Sequence, residues 1–180
     1  MKTLKLSSLA VLVSLAVALN ALESLVPSPL PWVRLGLANL LTLIAILTWG
    51  WKEGYTVTIL RVLISALLFG GFLGPSFLLS LGGGVAATTA MIVMAPGTWR
   101  IFSPIAVSVA GAFTHGLTQI LILRGILVRT DEVFYLLPWV LIPALLSGVL
   151  TGMAAAFILL RWGYVFQVLG GRGTPAGRGR

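Results

Sequence analysis

Long apolar runs recur along this sequence, and they restrict what it can fold into. An α-helix needs about 20 mostly apolar residues to cross a membrane. Six stretches reach or approach that length, and they are residues 6–26, 35–51, 55–73, 76–95, 102–123 and 133–160. The runs are continuous, whereas strands of a membrane barrel alternate apolar and polar residues. The sequence therefore predicts an all-α, polytopic membrane protein with six transmembrane helices.

The low charge content supports a membrane location. Only 9% of the 180 residues are charged, against about 25% in an ordinary globular domain. We expect one transmembrane domain over residues 1–162, with the prolines between residues 27 and 31 forming a rigid connector after the first span. Residues 163–180 are rich in glycine and arginine, and this composition predicts a disordered basic tail.

Lysine and arginine positions predict the orientation, because these residues accumulate in cytoplasmic loops. If the N-terminus is cytoplasmic, eight of them lie inside, three lie outside and Arg61 lies within the membrane. Both termini are therefore expected in the cytoplasm, with the protein in the cell membrane. The same rule accounts for the net charge of +8, so we expect no nucleic-acid partner.

The first apolar run permits a second interpretation. Lys2 and Lys5 precede an apolar core that ends near Ala16-Val17-Ala18, which is the arrangement of a cleavable secretory signal. The run continues to Val26, however, and this favours a retained first helix.

Polar residues inside apolar spans are the candidate functional groups, because an unpaired polar group in hydrocarbon costs several kcal/mol. Under the predicted orientation they collect in the outer half of the membrane, as the lining of an outward-facing cavity would. The predicted substrate-binding residues are Glu23, Asn39, Ser80, Gly83, His115 and Gln119. Each has a structural alternative, since polar residues and glycines also hold membrane helices together.

Arg61 stands apart in this scheme. The predicted span over residues 55–73 places it about two turns from the cytoplasmic end. We therefore expect Arg61 to fix helix packing or to couple to a cytoplasmic partner, rather than to contact a solute from outside.

Several classes of chemistry lack the residues they need. The chain has no cysteine and one histidine, which excludes the usual zinc sites. Gly82, Gly83 and Gly84 are not followed by the Lys-Ser/Thr of a phosphate loop. Asp131 is the only aspartate, so an aspartate-rich magnesium site cannot form. No catalytic residue, metal or cofactor is predicted, and the chain is more consistent with a non-enzymatic subunit than with an enzyme.

Five stretches together resemble one known family. They are Ala21-Leu-Glu-Ser-Leu-Val-Pro27, Arg34-Leu-Gly-Leu-Ala-Asn-Leu-Leu-Thr42, Arg61-Val-Leu-Ile-Ser-Ala-Leu-Leu-Phe-Gly70, Ser76-Phe-Leu-Leu-Ser-Leu-Gly-Gly83 and Ser108-Val-Ala-Gly-Ala-Phe-Thr-His-Gly-Leu-Thr-Gln119. The chain resembles the Gx transporter family, which is also labelled heptaprenyl diphosphate synthase component I. The resemblance extends to about residue 162.

The Gx transporter family is similar to the substrate-capture (S) components of energy-coupling-factor transporters. That similarity implies an S-component-like bundle of six helices with an outward-facing pocket. It also implies docking onto a transmembrane coupling subunit that carries two ATPases. S components present small residues of helix one to that subunit, and here Ala10, Ser14 and Ala18 recur every four residues.

Two functions follow from the resemblance. The first is a membrane transporter component that captures a small solute from the outer side, as the substrate-binding subunit of an importer. The alternative is a membrane accessory subunit of heptaprenyl diphosphate synthase in menaquinone side-chain synthesis. Its partner would then be a separate, soluble prenyl-diphosphate synthase subunit.

Overall fold

The structure is a computed structural model that describes residues 2–25, 36–95 and 102–169. Within these ranges the chain forms six α-helices and no strand is assigned, which confirms the predicted all-α class. The helices are α1 Lys2–Leu25, α2 Leu37–Thr48, α3 Trp51–Phe69, α4 Pro75–Met94, α5 Pro104–Ile122 and α6 Leu137–Leu169. A π-helical turn, Leu123–Val128, and a 3-10 turn, Asp131–Leu136, connect α5 to α6.

Four helical segments of the described chain are long and apolar enough to cross a membrane. They are Thr3–Glu23, Pro75–Met94, Pro104–Val128 and Asp131–Arg161. The other two helices fall short of the predicted six spans for different reasons. α2 has only 12 residues because Gly36 and Gly50, with φ of 75° and 115°, bound it on either side. α3 carries Lys52, Glu53 and Arg61 within its length.

Both bounds of α3 lie four residues before the expected ones. The sequence places this helix over residues 55–73, whereas the structure has it over Trp51–Phe69. It begins early because its polar first turn is helical, and Glu53 there forms an ion pair with Lys5 of α1. It ends early because Gly70 and Gly71 adopt positive φ. Pro75 then occupies the first turn of α4, where the missing N–H of proline costs nothing.

Consecutive helices from α2 to α6 pack antiparallel, so alternate helix ends meet at the two ends of the bundle. The larger core cluster fills the half where α1 begins, and it includes Leu12, Ala16, Leu43, Ile44, Val57, Met91 and Val107. A smaller cluster near the other end joins α4, α5 and α6, and it contains Leu79, Ile120, Leu123, Val133 and Val140. We call the end where α1 finishes and α2 starts the cavity end.

The helices α5 and α6 pack closely against each other. Gly148 and Gly152 are four residues apart on α6 and face the backbone of α5, as in other membrane helices that use small residues for close approach. Beside them, Ser108 and Thr151 share a hydrogen bond of 2.9 Å. This contact fixes α5, which carries two of the candidate site residues.

Three sequence expectations fall on residues outside the described ranges. These are the proline connector at 27–31, the end of span four at Pro96-Gly97, and the tail from residue 170 onward. α6 runs on to Leu169, past residue 163, where the sequence places the start of the tail.

Candidate functional site

A cavity lies at the cavity end of the bundle. Described residues of the helices α1 to α5 form its walls. The space between its walls is about 770 Å³, with the open solvent at its mouth included. The described residues that line it are Asn20, Glu23, Gly36, Asn39, Arg61, Val62, Ser65, Ala66, Phe69, Gly70, Gly71, Ser76, Phe77, Ser80, His115 and Gln119.

The α3 wall carries the cationic group of the cavity. Arg61 is 6% exposed, and its Nη2 donates a 3.0 Å hydrogen bond to Oδ1 of Asn39 on α2. Ser65 follows one turn later on the same face. It is 7% exposed, and within the described part of the chain its hydroxyl has no hydrogen-bond partner. α3 thus presents a guanidinium and a hydroxyl to the cavity.

Glu23 connects α1 to the start of α2. Its Oε1 accepts a hydrogen bond from the backbone N–H of Leu37, the first residue of α2. A helix N-terminus leaves such N–H groups without partners inside the helix, and its partial positive charge favours a carboxylate nearby. Glu23 is 6% exposed, so this contact lies inside the bundle and holds Asn39 at a fixed distance from α1.

α4 and α5 supply the opposite wall. Ser80 lines the cavity from α4, and His115 and Gln119 line it from α5. The two α5 residues are one turn apart, and Gly83 packs against both. A Cβ at Gly83 would lie 3.0 Å from Cε1 of His115 and 3.2 Å from Cγ of Gln119. The glycine therefore allows these two side chains to lie close to α4.

A layer of threonines closes the cavity on the side of the larger core cluster. The hydroxyl of Thr58 lies 3.1 Å from that of Thr42 and 2.8 Å from that of Thr88. Thr88 donates to the carbonyl of Gly84. Since each hydroxyl has one proton, Thr58 donates to Thr88 and Thr42 donates to Thr58. All three threonines are buried, and each lies one to two turns from the cavity on its helix.

Aromatic residues form the rim on the α3–α4 side. Phe77 is buried and Phe69 is exposed, and both line the cavity. Phe72, in the loop between the two helices, lies 5.3 Å from Phe77 between ring centroids. On the α3–α4 side, the lining therefore changes from polar at Arg61 to aromatic at the rim, where Ser76 lies beside Phe77.

The structure brings most of the predicted substrate-binding residues together. Glu23, Asn39, Ser80, His115 and Gln119 all line the cavity. Gly83 is not among the described lining residues, because its α-carbon faces His115 and Gln119 instead. Their roles in binding stay predictions.

Arg61 lies in a different place from the one the sequence indicates. The sequence separates Arg61 from the other polar residues. In the structure, however, Arg61 lines the same cavity and contacts Asn39. The reason is the four-residue shift of α3, which moves Arg61 about one turn toward the cavity end. Ala10, Ser14 and Ala18 lie exposed on α1, as a docking stripe would require, and their coupling role stays a prediction.

Sequence reasoning did not select several residues that line the cavity. Ser65 and Asn20 carry a usable signal, since each is a polar residue in an apolar helix within one turn of a selected residue. Phe69 and Phe77 carry none, because aromatic residues are common in membrane helices.

The chemistry of the site is that of binding. Arginine keeps its proton, so Arg61 brings a permanent positive charge and a fork of N–H donors suited to a phosphate or carboxylate. No group of three or more histidine, aspartate or glutamate side chains that could hold a metal ion occurs in the described ranges. The amide and hydroxyl groups of the walls add further hydrogen-bond donors and acceptors.

Fold and site together define the chain as a helical membrane protein with a cavity lined by polar residues at one end of its bundle. Its family is known from a match to the model for heptaprenyl diphosphate synthase component I, which covers residues 12–158. The chain belongs to that family. No curated protein and no solved structure matches it significantly.

Proposed function

We propose that the chain is the membrane subunit of a heptaprenyl diphosphate synthase and that its cavity binds a small ligand for that system. The name of the family describes one component of a synthase, and this supports a second subunit that carries the catalytic residues. The observation that carries the proposal is the cavity around Arg61, which places a buried guanidinium among polar side chains from five helices. The partner would be a soluble prenyl-diphosphate synthase subunit.

The proposal includes a topology. α2 and α3 would complete six membrane crossings together with the four candidate spans, and both termini would lie in the cytoplasm of the cell. The surplus of lysine and arginine on the side of the N-terminus supports this orientation. The cavity would then face outward.

The absence of cysteine makes this topology simple to test. Lys52→Cys and Glu132→Cys place single thiols at opposite ends of the bundle, and both positions are exposed. In intact cells, a membrane-impermeant maleimide should label the cysteine at 132 and leave the one at 52 unlabelled. The reverse labelling pattern would show that the protein has the opposite orientation. Labelling of both cysteines would show that the membrane does not separate the two ends of the bundle.

Copurification tests the function itself. The full chain, solubilised from its native membrane, should bring down a soluble prenyl-diphosphate synthase subunit. Adding the chain to that subunit should change its activity. If the chain neither binds the synthase subunit nor alters its activity, the proposed function is wrong.

A second candidate is the substrate-capture subunit of an energy-coupling-factor-type importer. The observation that favours it is the gathering of polar residues from α1 to α5 at one end of the bundle, closed on the other side by the threonine layer. The same purification distinguishes the two, because an importer subunit should bring down a transmembrane coupling subunit and ATPases.

A further inference from the structure

The deep part of the cavity and its rim differ in polarity, and this difference indicates what kind of ligand the cavity binds. The deep part combines the guanidinium of Arg61 with the hydroxyl of Ser65 and the amide of Asn39. The rim carries Phe69 and Phe77. A ligand that satisfies both parts has an anionic head and an apolar tail.

Ser65 is the second, independent sign that a polar group enters the deep part. A serine in a helix ordinarily satisfies its hydroxyl with a backbone carbonyl of the preceding turn, as Thr88 does here. The hydroxyl of Ser65 instead has no hydrogen-bond partner among the described residues, although it is buried. A buried hydroxyl without a partner is costly, and a ligand oxygen beside Arg61 would supply the missing bond.

Apolar side chains continue outward from the cavity. Phe77 is 8% exposed, Phe69 57%, Phe72 47% and Leu73 72%. The buried ring of Phe77 thus adjoins exposed apolar side chains at the end of α3 and in the loop between α3 and α4. A tail lying along these residues would leave the cavity at its rim.

We propose, on the basis of the component I function above, that the cavity binds an isoprenoid diphosphate. Its diphosphate contacts Arg61 and Ser65, and its isoprenoid chain follows Phe77 and Phe69 to the rim. Arginine recognises phosphate oxygens through two parallel N–H bonds, and the neighbouring hydroxyl donates to a third oxygen. The cavity holds the head, and the chain continues along the aromatic side chains of the rim.

Equilibrium binding to the purified full chain in phosphatidylcholine nanodiscs tests this proposal. The probes are a fifteen-carbon isoprenoid diphosphate, inorganic diphosphate and the matching isoprenoid alcohol. The isoprenoid diphosphate should bind at least about tenfold tighter than either of the others, because only it uses both parts of the site. Equal binding of the alcohol, or equal binding of inorganic diphosphate, overturns the proposal.

Two variants separate the head from the tail. Ser65→Ala should weaken both diphosphates about five- to tenfold and leave the alcohol unchanged. Phe69→Ala should weaken the isoprenoid diphosphate about three- to tenfold and leave inorganic diphosphate unchanged. Since the hydroxyl of Ser65 has no partner in the described chain, its removal should not unfold the protein. Arg61→Lys and Arg61→Gln extend the series, with the larger loss expected for glutamine.

Matched controls come from the same chain. Arg124 lies near the same end of the bundle and pairs with Asp131 at the surface, so Arg124→Gln removes a charge outside the cavity. Phe157 is 68% exposed on α6, so Phe157→Ala removes an aromatic ring elsewhere. Both should bind every probe like the unaltered chain. Losses in these controls equal to those at Ser65 and Phe69 would contradict the assignment.

Two further outcomes are informative. If phosphatidic acid in the nanodiscs weakens the apparent affinity for the isoprenoid diphosphate more than about tenfold, the cavity binds a lipid phosphate and the proposal is wrong. If no isoprenoid diphosphate binds while the soluble synthase subunit still copurifies, the ligand assignment fails and the component I function stands. Loss of copurification alone would instead refute the function.

Discussion

Gly152 offers the most quantitative test of the packing that holds the site. A Cβ added there would lie 2.6 Å from Cα of Ile105 and 3.0 Å from Cβ of Ser108, both on α5. Carbon atoms in favourable contact are about 3.5–4.0 Å apart, so α5 and α6 must separate by roughly 1 Å in the Gly152→Ala variant. The nearest obstacle is backbone and cannot move aside as a side chain can.

The energetic cost combines two destabilising terms and one stabilising term. Overpacking costs about 1–3 kcal/mol, and separating the helices also weakens the hydrogen bond between Ser108 and Thr151, worth about 0.6 kcal/mol in a membrane. Alanine regains up to about 1 kcal/mol of helix propensity over glycine. We therefore expect a net loss of about 1–2 kcal/mol in the free energy of unfolding.

Thermal unfolding in detergent measures this loss. For a chain of this size, about 1 kcal/mol corresponds to a Tm change of about 2–4 °C, so the Tm of Gly152→Ala should fall by about 2–8 °C. Gly125 is the matched control, because a Cβ there meets no atom within 4 Å, and Gly125→Ala should stay within about 0.5 kcal/mol of the unaltered chain. A Gly152→Ala variant as stable as the unaltered chain would refute the close α5–α6 contact.

Three further substitutions test other parts of the account. Thr58→Val removes the middle hydroxyl of the threonine layer and should lower the free energy of unfolding by about 1–2 kcal/mol, measured by denaturant unfolding; no loss would mean that the layer does not form. Glu23→Ala removes the contact with the start of α2 and should cost about 1–2 kcal/mol, with Glu23→Gln losing less because its amide oxygen still accepts; equal stability of all three chains would contradict this contact. Lys5→Glu should lower the Tm, and Lys5→Glu combined with Glu53→Lys should restore it; a double variant as unstable as the single one would exclude the ion pair.

The residues show which parts of this arrangement a sequence can indicate. Glu23, Asn39, Ser80, His115 and Gln119 were predictable as a group, because polar side chains in apolar helices need partners and tend to face one another. Counting the successive membrane crossings also predicted that these residues lie at the same end of the bundle. The prediction thus depended on burial chemistry rather than on detailed geometry.

The depth of Arg61 was not predictable by hydropathy. The first turn of α3 is polar, so an apolar window begins four residues late and places the arginine one turn too far from the cavity end. In that turn Glu53 forms an ion pair with Lys5 of α1, and a contact between two helices is invisible to a window on one of them. The apolar window over α2 likewise includes Gly36 and Gly50, whose positive φ values bound the helix.

The roles of the glycines also required the structure. Gly83 is predictable as a position of close approach, but a sequence cannot tell whether a ligand or a neighbouring side chain comes near. The rotation of α4 about its axis decides this, and it places His115 against Gly83. Likewise, Thr58 has no distinguishing sequence signal until Thr42 and Thr88 are found on either side.

The central claim is that the cavity around Arg61 is the ligand site of this family member. An experimental density map of the purified chain with an isoprenoid diphosphate tests it most directly. We expect density for the diphosphate beside Arg61 and Ser65, with the chain extending past Phe77 toward Phe69. A well-ordered map in which the cavity is free of ligand density, with the isoprenoid diphosphate bound elsewhere on the bundle, would contradict the claim.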